Sequence, residues 1–126
     1  MVNFVLPEIG VGNEFPISSV SQEIIHSSSG GVDGYLYTIT GVISNLPANT
    51  DPYIIEVEYF DSWGNSLYIS SQNLTQEVPI AGRYILGYYT STNDVKVDYV
   101  TIKIMEGDKI CAKTDYKLNN ANIQEL

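Results

Sequence analysis

Residues 53–69 alternate apolar and polar side chains so regularly that they limit the fold to one containing an antiparallel sheet. Along an extended strand, every second side chain points to the same face. One face carries Tyr53, Ile55, Val57 and Tyr59, and the other carries Glu56 and Glu58. One buried face and one wet face are typical of antiparallel sheets, because the helical crossovers of a parallel sheet cover both faces.

A turn follows this strand. Asp61 followed three residues later by Gly64 is the signature of a type I turn, and we expect Asn65 to adopt the left-handed conformation that closes such a loop. A second strand then begins near Leu67. The sequence therefore predicts a β-hairpin with Trp63 at its tip.

Turn residues recur at short intervals through the rest of the chain, and strand-like runs fill the gaps. We predict further strands at residues 15–26, 35–45, 84–90, 95–105 and 109–118, a short connection or edge strand at 74–80, and a three-residue hairpin loop at 106–108. Seven or eight strands without helical periodicity predict an all-β fold, an immunoglobulin-like antiparallel β-sandwich. A closed barrel is the main alternative. We expect one domain over residues 1–126, with 1–14 and 119–126 as loose termini.

One strand changes phase. Val95, Val97 and Tyr99 define one face, whereas Val100, Ile102 and Ile104 define the opposite one. Alternation with period two cannot change phase without an inserted residue. We therefore predict a bulge or sharp bend near Tyr99 and Val100, where the chain passes from one sheet to the other.

The charge balance excludes two classes of partner. The chain has 15 acidic and 6 basic residues, a net charge of -9, and no basic residue before Arg83. Phosphate groups need clustered cations, so we expect no nucleic acid and no anionic membrane surface as partner. Ser, Thr and Asn together outnumber the charged residues and accompany ten tyrosines. Because such a surface does not titrate in an acidic medium, we predict an extracellular or pseudoperiplasmic location.

No apolar run reaches the roughly 18 residues of a membrane span, and the first residues lack the pattern of a signal peptide. Two interpretations remain open: a cytoplasmic protein, or one whose export or anchor segment precedes Met1 and has been removed.

Catalytic chemistry has little support. His26 is the only histidine and Cys111 the only cysteine, so neither a paired-histidine metal site nor an internal disulfide can form. We expect an exposed His26 and an inert, half-exposed Cys111. Glu56 and Glu58 have the spacing that a glycosidase needs, but they fall on the wet face. We predict no enzyme, no catalytic residue and no cofactor.

Calcium is a minor alternative. Asp61, Asn65, Asp94 and Asp108 lie in predicted loops, but no D-x-D-x-D-G loop is present. We therefore predict no metal site.

Exposed aromatic side chains favour binding instead. Tyrosine and tryptophan among Ser, Gly and Asn are typical of protein-binding surfaces. We predict a protein-binding surface from Ile54, Phe60, Trp63, Tyr88 and Tyr89, with Tyr88 and Tyr89 on opposite faces of their strand. The alternative is that Phe60 and Trp63 only cover the edge of the sandwich. Asn73 begins a triplet that accepts N-glycans in exported proteins.

Three segments carry a family resemblance: residues 39–45, 55–67 and 97–104. Over residues 34–105 they resemble the FxLYD-type immunoglobulin-like domains of prokaryotic cell envelopes, which show a "v-x-G-x-v-x-N" strand, a "v-x-v-x-f-y-D-x-x-G" hairpin and a late "y-x-v-x-v" strand. The chain departs from that pattern in having Trp63 and Asn65, and no basic residue, in the turn.

The abundance of Tyr, Ser and Asn is similar to that of secreted proteins of acidophilic archaea, and more specifically of the soluble domain of archaellum stator proteins of the FlaF or FlaG type. This resemblance implies an anchoring helix before Met1. It also implies a β-sandwich outside the membrane that contacts the surface layer (S-layer) and the housing of the archaeal flagellum.

We therefore predict a non-enzymatic cell-envelope module that acts by protein–protein interaction. Its expected partners are an envelope or S-layer protein, a related stator subunit, or a second copy in a dimer formed by edge-strand pairing. The alternative binding function is a carbohydrate-binding module in which Trp63 and nearby tyrosines stack on sugar rings.

Overall fold

The computed structural model describes residues 16–27, 34–46, 52–74, 80–92 and 95–125. The strands are β1 (Ile17–Ser27), β2 (Gly34–Leu46), β3 (Tyr53–Phe60), β4 (Ser66–Leu74), β5 (Ile80–Thr92), β6 (Tyr99–Glu106), β7 (Lys109–Lys117) and β8 (Ile123–Glu125), with a 3-10 turn at Asn120–Asn122 before β8. The predicted termini 1–14 and the predicted edge residues 75–79 lie outside these ranges. The described residues contain no helix with the length and apolar character needed to cross a membrane.

The eight strands form two four-stranded sheets. The first has the order β5-β2-β1-β8 and the second has the order β4-β3-β6-β7. Neighbouring strands are antiparallel except for β1 and β8, which run parallel. The chain leaves the first sheet after β2, returns for β5, and leaves again for β6 and β7. This is the connectivity of immunoglobulin-like sandwiches, and the predicted fold class is confirmed.

The core lies between the two sheets. The inward side chains of β3 are fully or almost fully buried, as its alternation predicts. The wider core also contains Ile24, Tyr37, Ile39, Ile43, Leu86, Val97, Val100, Ile102, Ile104 and Leu118. Burial of each large aliphatic side chain stabilises the fold by about 1.5–3 kcal/mol, so this interior accounts for most of the gross stabilisation.

Register shifts occur in several of the described strands, including β4, where Leu67 is an extra residue between the partners of Tyr59 and Phe60. In β5, Ile39 pairs with Gly87 and Thr40 pairs with Ile85, so Leu86 is an extra residue. In β7, the pairs on either side of Cys111 show that Cys111 is the extra residue. The expectation of a half-exposed Cys111 is therefore wrong: its thiol is buried, beside Glu106 at 3.7 Å, and its neighbour Ile110 is exposed.

The predicted bend lies just before β6. Residues 95–98 are not a strand; they carry the chain from the first sheet to the second, and β6 starts at Tyr99. The Val97 N–H donates to the Tyr37 hydroxyl at 3.0 Å, and the Asp98 N–H donates to the Phe60 carbonyl at 2.7 Å. The change of sheet therefore occurs before Tyr99, at residues 95–98, which are not part of the strand, and the ladders run without a bulge through Tyr99 and Val100.

The loop between β6 and β7 is shorter than predicted. Glu106 pairs with Lys109, so only Gly107 and Asp108 form the turn. Gly107 has φ +62°, a left-handed conformation that glycine adopts without strain.

The two sheets approach each other closely at Gly87. A Cβ atom at this position would lie 2.5 Å from the Ser70 Oγ, 3.0 Å from the Tyr59 hydroxyl and 3.2 Å from the Val57 Cγ2. Only glycine leaves room for these β3 and β4 side chains under β5. The Gln72 side chain also donates to the Ile85 carbonyl at 3.0 Å and so joins the edge strands of the two sheets.

Residues 119–125 form a strap that joins the sheets on the opposite side of the sandwich. The Gln22 amide donates to the Asn119 carbonyl at 2.6 Å and accepts from the Asn119 N–H at 2.7 Å. The His26 Nδ1 lies 2.7 Å from the Glu125 Oε1. The expectation of a loose C-terminus is therefore wrong for residues 119–125, because side chains of β1 hold them in place.

Candidate functional site

The turn between β3 and β4 is built around the carboxylate of Asp61. Its Oδ1 accepts from the Trp63 and Asn65 N–H groups, each at 2.9 Å, and its Oδ2 accepts from the Asn65 side chain at 3.0 Å. The Gly64 N–H donates to the Asp61 carbonyl at 3.1 Å. These bonds, first those from Asn65, hold the pKa of Asp61 below its usual value. The left-handed residue is Gly64, at φ +84°, and not Asn65 as expected.

The turn presents Trp63 to solvent. Its side chain is 85% exposed, although it is the largest apolar side chain of the protein. Phe60, at the end of β3, is half-buried and stacks on Tyr99, with 4.7 Å between ring centroids. Ile54, at the other end of β3, is also half-buried. Of these three predicted contact residues, only Trp63 offers a large free surface.

Tyr88 and Tyr89 lie on opposite faces of β5, as predicted. Tyr88 is 64% exposed on the outer face of the first sheet. Tyr89 turns inward and packs against Tyr68, with ring centroids 5.1 Å apart, and against Tyr59 at 5.2 Å. Tyr89 therefore helps to join the two sheets, and only Tyr88 of the pair projects outward.

Most of the large exposed apolar side chains belong to β4, β5 or the turn before β4. We call this side of the sandwich the β4–β5 side, because β4 and β5 are the edge strands of the two sheets and pack together there. The side chains do not share one face: Ile69 lies on the outer face of the second sheet, whereas Ile85 and Tyr88 lie on that of the first. Within the described ranges, seven large hydrophobic side chains are exposed, and five of them belong to this side. The five are Trp63, Tyr68, Ile69, Ile85 and Tyr88.

Sequence reasoning missed Tyr68, Ile69 and Ile85 on this surface. Tyr68 and Ile69 are 47% exposed and Ile85 is 53% exposed. The sequence did contain one signal: β4 has no charged residue along its whole length. An edge strand without charge is unusual, because charged side chains normally protect such edges from pairing with other chains.

The opposite edge of the same sheet carries that protection. Strand β7 bears Lys109, Lys113 and Lys117, and its bulge at Cys111 interrupts the regular ladder. Lys117 forms an ion pair with Asp98 at 2.7 Å. Charge therefore discourages strand pairing at β7, whereas β4, which also has a bulge at Leu67, lacks such charges.

The two candidate catalytic carboxylates share one lysine. The Lys103 Nζ lies 3.5 Å from the Glu56 carboxylate and 4.0 Å from that of Glu58, on the outer face of the second sheet. All three side chains are about one-fifth exposed. Arrangements of this kind are common as structural ion pairs that cover a sheet. No group of three or more His, Cys, Asp or Glu residues suited to a metal ion occurs in the described part of the chain.

Tyr59 is a buried titratable group at the β4–β5 side. Burial raises its pKa from 10.0 to about 12, and the neighbouring Ser70 hydroxyl offsets part of the rise. In the described structure its hydroxyl makes no hydrogen bond of acceptable geometry. Burial also raises the pKa of Tyr89.

Asn73, the predicted glycosylation acceptor, lies near the end of β4. Its side chain is exposed, and its strand neighbour on β3 is Ile54. A glycan on this residue would project from the outer face of the second sheet, at its uncharged edge.

Comparisons with known proteins add little beyond the fold. No protein family and no curated protein matches the chain. An immunoglobulin-like protein from Pseudomonas aeruginosa of known structure is similar to it at 10% sequence identity, with a TM-score of 0.38. The similarity covers 84% of this chain and 97% of that protein. A similarity of this degree indicates nothing about function.

Proposed function

We propose that this domain is a non-enzymatic protein-binding module and that the β4–β5 side is its contact surface. The observation that carries the proposal is that five of the seven large exposed apolar side chains of the described residues belong to β4, β5 or the turn before β4. Monomeric proteins rarely expose contiguous apolar surface without a use for it, and aromatic residues anchor protein interfaces. Trp63 and Tyr88 are the two most exposed members and therefore the proposed anchors.

The ionisable groups support a binding function better than catalysis. Glu56 and Glu58 are neutralised in part by Lys103, and they lie on an open sheet face rather than in a cleft. A glycosidase needs one carboxyl group that stays protonated and a site that encloses the sugar. We therefore expect the wild-type protein to cleave none of the glycans tested, and we expect no difference between it and Glu56→Gln.

The finer proposal is a location in the prokaryotic cell envelope, with an S-layer protein, a related subunit or a second copy as partner. It rests on the resemblance to FxLYD-type domains and archaellum stator proteins, and on the excess of Ser, Thr and Asn over charged residues. In that setting the domain lies outside the membrane and transmits force between an anchor and the surface layer. The proposed location and the proposed contact surface can be tested independently of each other.

Paired variants test the contact surface. Trp63→Ala and Tyr88→Ala remove the two most exposed large apolar side chains of the described residues, and Lys113→Ala removes an exposed side chain from the opposite edge. Purified envelope proteins are titrated onto each immobilised variant. We expect Trp63→Ala or Tyr88→Ala to weaken binding at least about tenfold, as interface anchors do, and Lys113→Ala to leave it unchanged. Equal loss in all three variants would contradict the proposal.

Carbohydrate binding is the second candidate. A tryptophan that is 85% exposed on a rigid turn has the form of a stacking platform for a sugar ring. Glycan-array binding that is lost in Trp63→Ala but retained in Tyr88→Ala would favour this function, because a single platform suffices for a sugar whereas a protein interface uses both anchors.

A further inference from the structure

Strand β4 has the features of an acceptor for an additional strand. It pairs with β3 on one side and with no described strand on the other. Tyr68 and Ile69 are neighbours and point to opposite faces of the sheet, yet both are 47% exposed. A partner lying on one face would cover only one of them. A strand added beside β4 in the plane of the sheet would flank both.

Charges on the outer face indicate what kind of strand fits. In the register of the second sheet, one row runs Ser71, Glu56, Lys103 and Lys113 from the β4 edge to the β7 edge. Glu58 lies beside Ile69 of β4 in the next row. In these two rows, Glu56 and Glu58 of β3 lie next to β4, whereas Lys103 of β6 and Lys113 and Asp115 of β7 lie farther from it. A strand arriving at β4 therefore meets the two glutamates before the lysines.

Glu56 lies next to Ser71 in the first of these rows, and Glu56 and Glu58 together share one lysine, Lys103. The small side chain of Ser71 adds little bulk between Glu56 and a strand at the β4 edge. Strands are about 4.8 Å apart, so a residue opposite Ser71 would lie roughly 10 Å from the Glu56 backbone. An extended lysine or arginine side chain on the added strand and the glutamate side chain on β3 together bridge this distance. Opposite Ile69, an aliphatic side chain would cover the exposed apolar surface.

Building on the proposed protein-binding function, we propose that β4 accepts an extended strand from a partner protein, with an aliphatic residue opposite Ile69 and a basic residue opposite Ser71. Backbone hydrogen bonds supply affinity in this mode, and alternate side chains supply specificity. A second copy of this chain fits less well, because β4 itself has no basic residue and each copy carries a net charge of -9.

The probe is a short capped peptide, Val-Thr-Ile-Thr-Lys-Thr-Val, titrated into isotope-labelled protein while amide shifts and amide exchange are followed. We expect the β4 amides to shift and become protected from exchange, and the β7 amides to remain unchanged. A peptide with glutamate in place of lysine should bind about two- to fivefold more weakly, the range for opposed charge pairs across strands. A peptide N-methylated at alternate positions should not bind.

Two matched substitutions locate the site. Ile69 and Ile110 have nearly equal exposure, 47% and 46%, on the two edges of the second sheet. We expect Ile69→Lys to weaken peptide binding at least about tenfold and Ile110→Lys to leave it unchanged, because charge blocks an edge only where pairing occurs. Ser71→Lys should reverse the charge preference, so that the glutamate peptide binds more tightly than the lysine peptide.

The outcomes separate this proposal from the general binding function. Binding of the N-methylated peptide, or shifts confined to β7, would overturn strand addition. Protection of β4 amides that grows with protein concentration alone would overturn it in favour of a second copy. Loss of envelope-protein binding in Trp63→Ala, with full binding in Ile69→Lys, would leave the binding function standing without strand addition. Binding of the peptide to β4, without binding of any envelope protein, would support strand addition and contradict the proposed binding of an envelope protein.

Discussion

The two lateral sides of the sandwich are closed by different means. On the β4–β5 side, the described contacts between the sheets are made by side chains: the close approach at Gly87, the Tyr68–Tyr89 stack and the Gln72 bond to β5. On the opposite side, the chain itself crosses as the strap 119–125, fixed by Gln22 and by the pair of His26 with Glu125. The first side is uncharged on β4 and apolar, whereas the second carries most of the lysines of the described sheets.

The two sides therefore differ in how much surface they leave for a partner. A side covered by the strap and lined by charged groups has little surface left for a partner. The β4–β5 side keeps an uncharged edge strand and exposed aromatic residues, and so can accept one. The predictions below test whether the two sides depend on the interactions assigned to them, in decreasing order of expected effect.

Alkaline pH should weaken the β4–β5 side through Tyr59. Burial raises its pKa in the folded state from 10.0 to about 12. The unfolded chain therefore loses this proton first, and the stabilisation present below pH 10.0 is lost as pH rises towards about 12. The expected loss is on the order of 2–3 kcal/mol. Urea unfolding across this range should show a shallower pH dependence in Tyr59→Phe; an unchanged slope would contradict a raised pKa.

Gly87→Ala should cost about 2 kcal/mol, because the new methyl group meets Ser70 and Tyr59 at less than ordinary contact distance. The matched test is Gly87→Ala combined with Ser70→Ala, which removes the nearest atom and should restore part of the loss. Additive effects of the two changes, measured by urea unfolding, would show that the sheets do not meet at Gly87.

Two buried tyrosines should respond in opposite ways to the loss of one oxygen atom. In Tyr37→Phe the buried Val97 N–H loses its acceptor, and we expect a loss of about 1.5 kcal/mol. In Tyr59→Phe, a hydroxyl without a hydrogen bond in the described structure is removed, so stability at neutral pH should stay the same or rise slightly. Equal destabilisation of the two variants in thermal unfolding would refute this contrast.

On the opposite side, the hydrogen bonds that hold the strap should make a smaller contribution to the free energy of unfolding than the interactions above, but a measurable one. Gln22→Ala removes both bonds to Asn119, and we expect a loss of about 1 kcal/mol. Amide exchange should accelerate in residues 119–125 and remain unchanged in β4. Gln72→Ala, which removes a single bond across the β4–β5 side, is the control, with a smaller effect and the reverse pattern of exchange.

The alternation in β3 was sufficient to predict its buried face, the hairpin and the sandwich, because every second side chain of the strand is apolar and points to the same face. The bulges were not predictable: an extra residue at Leu86 or Cys111 reverses the phase of a strand without changing its composition. The strap was missed because it is held by Gln22 and His26, nearly a hundred positions earlier in the chain. Trp63 was found from its turn, but Ile69 and Ile85 become surface features only through strand order.

Site-specific photo-crosslinking tests the central claim most directly. A photoreactive amino acid replaces Tyr88 on the β4–β5 side in one variant and Lys113 on the opposite edge in another, and each is illuminated with the isolated envelope fraction. We predict crosslinks to one defined protein from position 88 and none from position 113. Crosslinks from position 113 alone, or to glycan alone from position 88, would contradict recognition of a protein through the β4–β5 side.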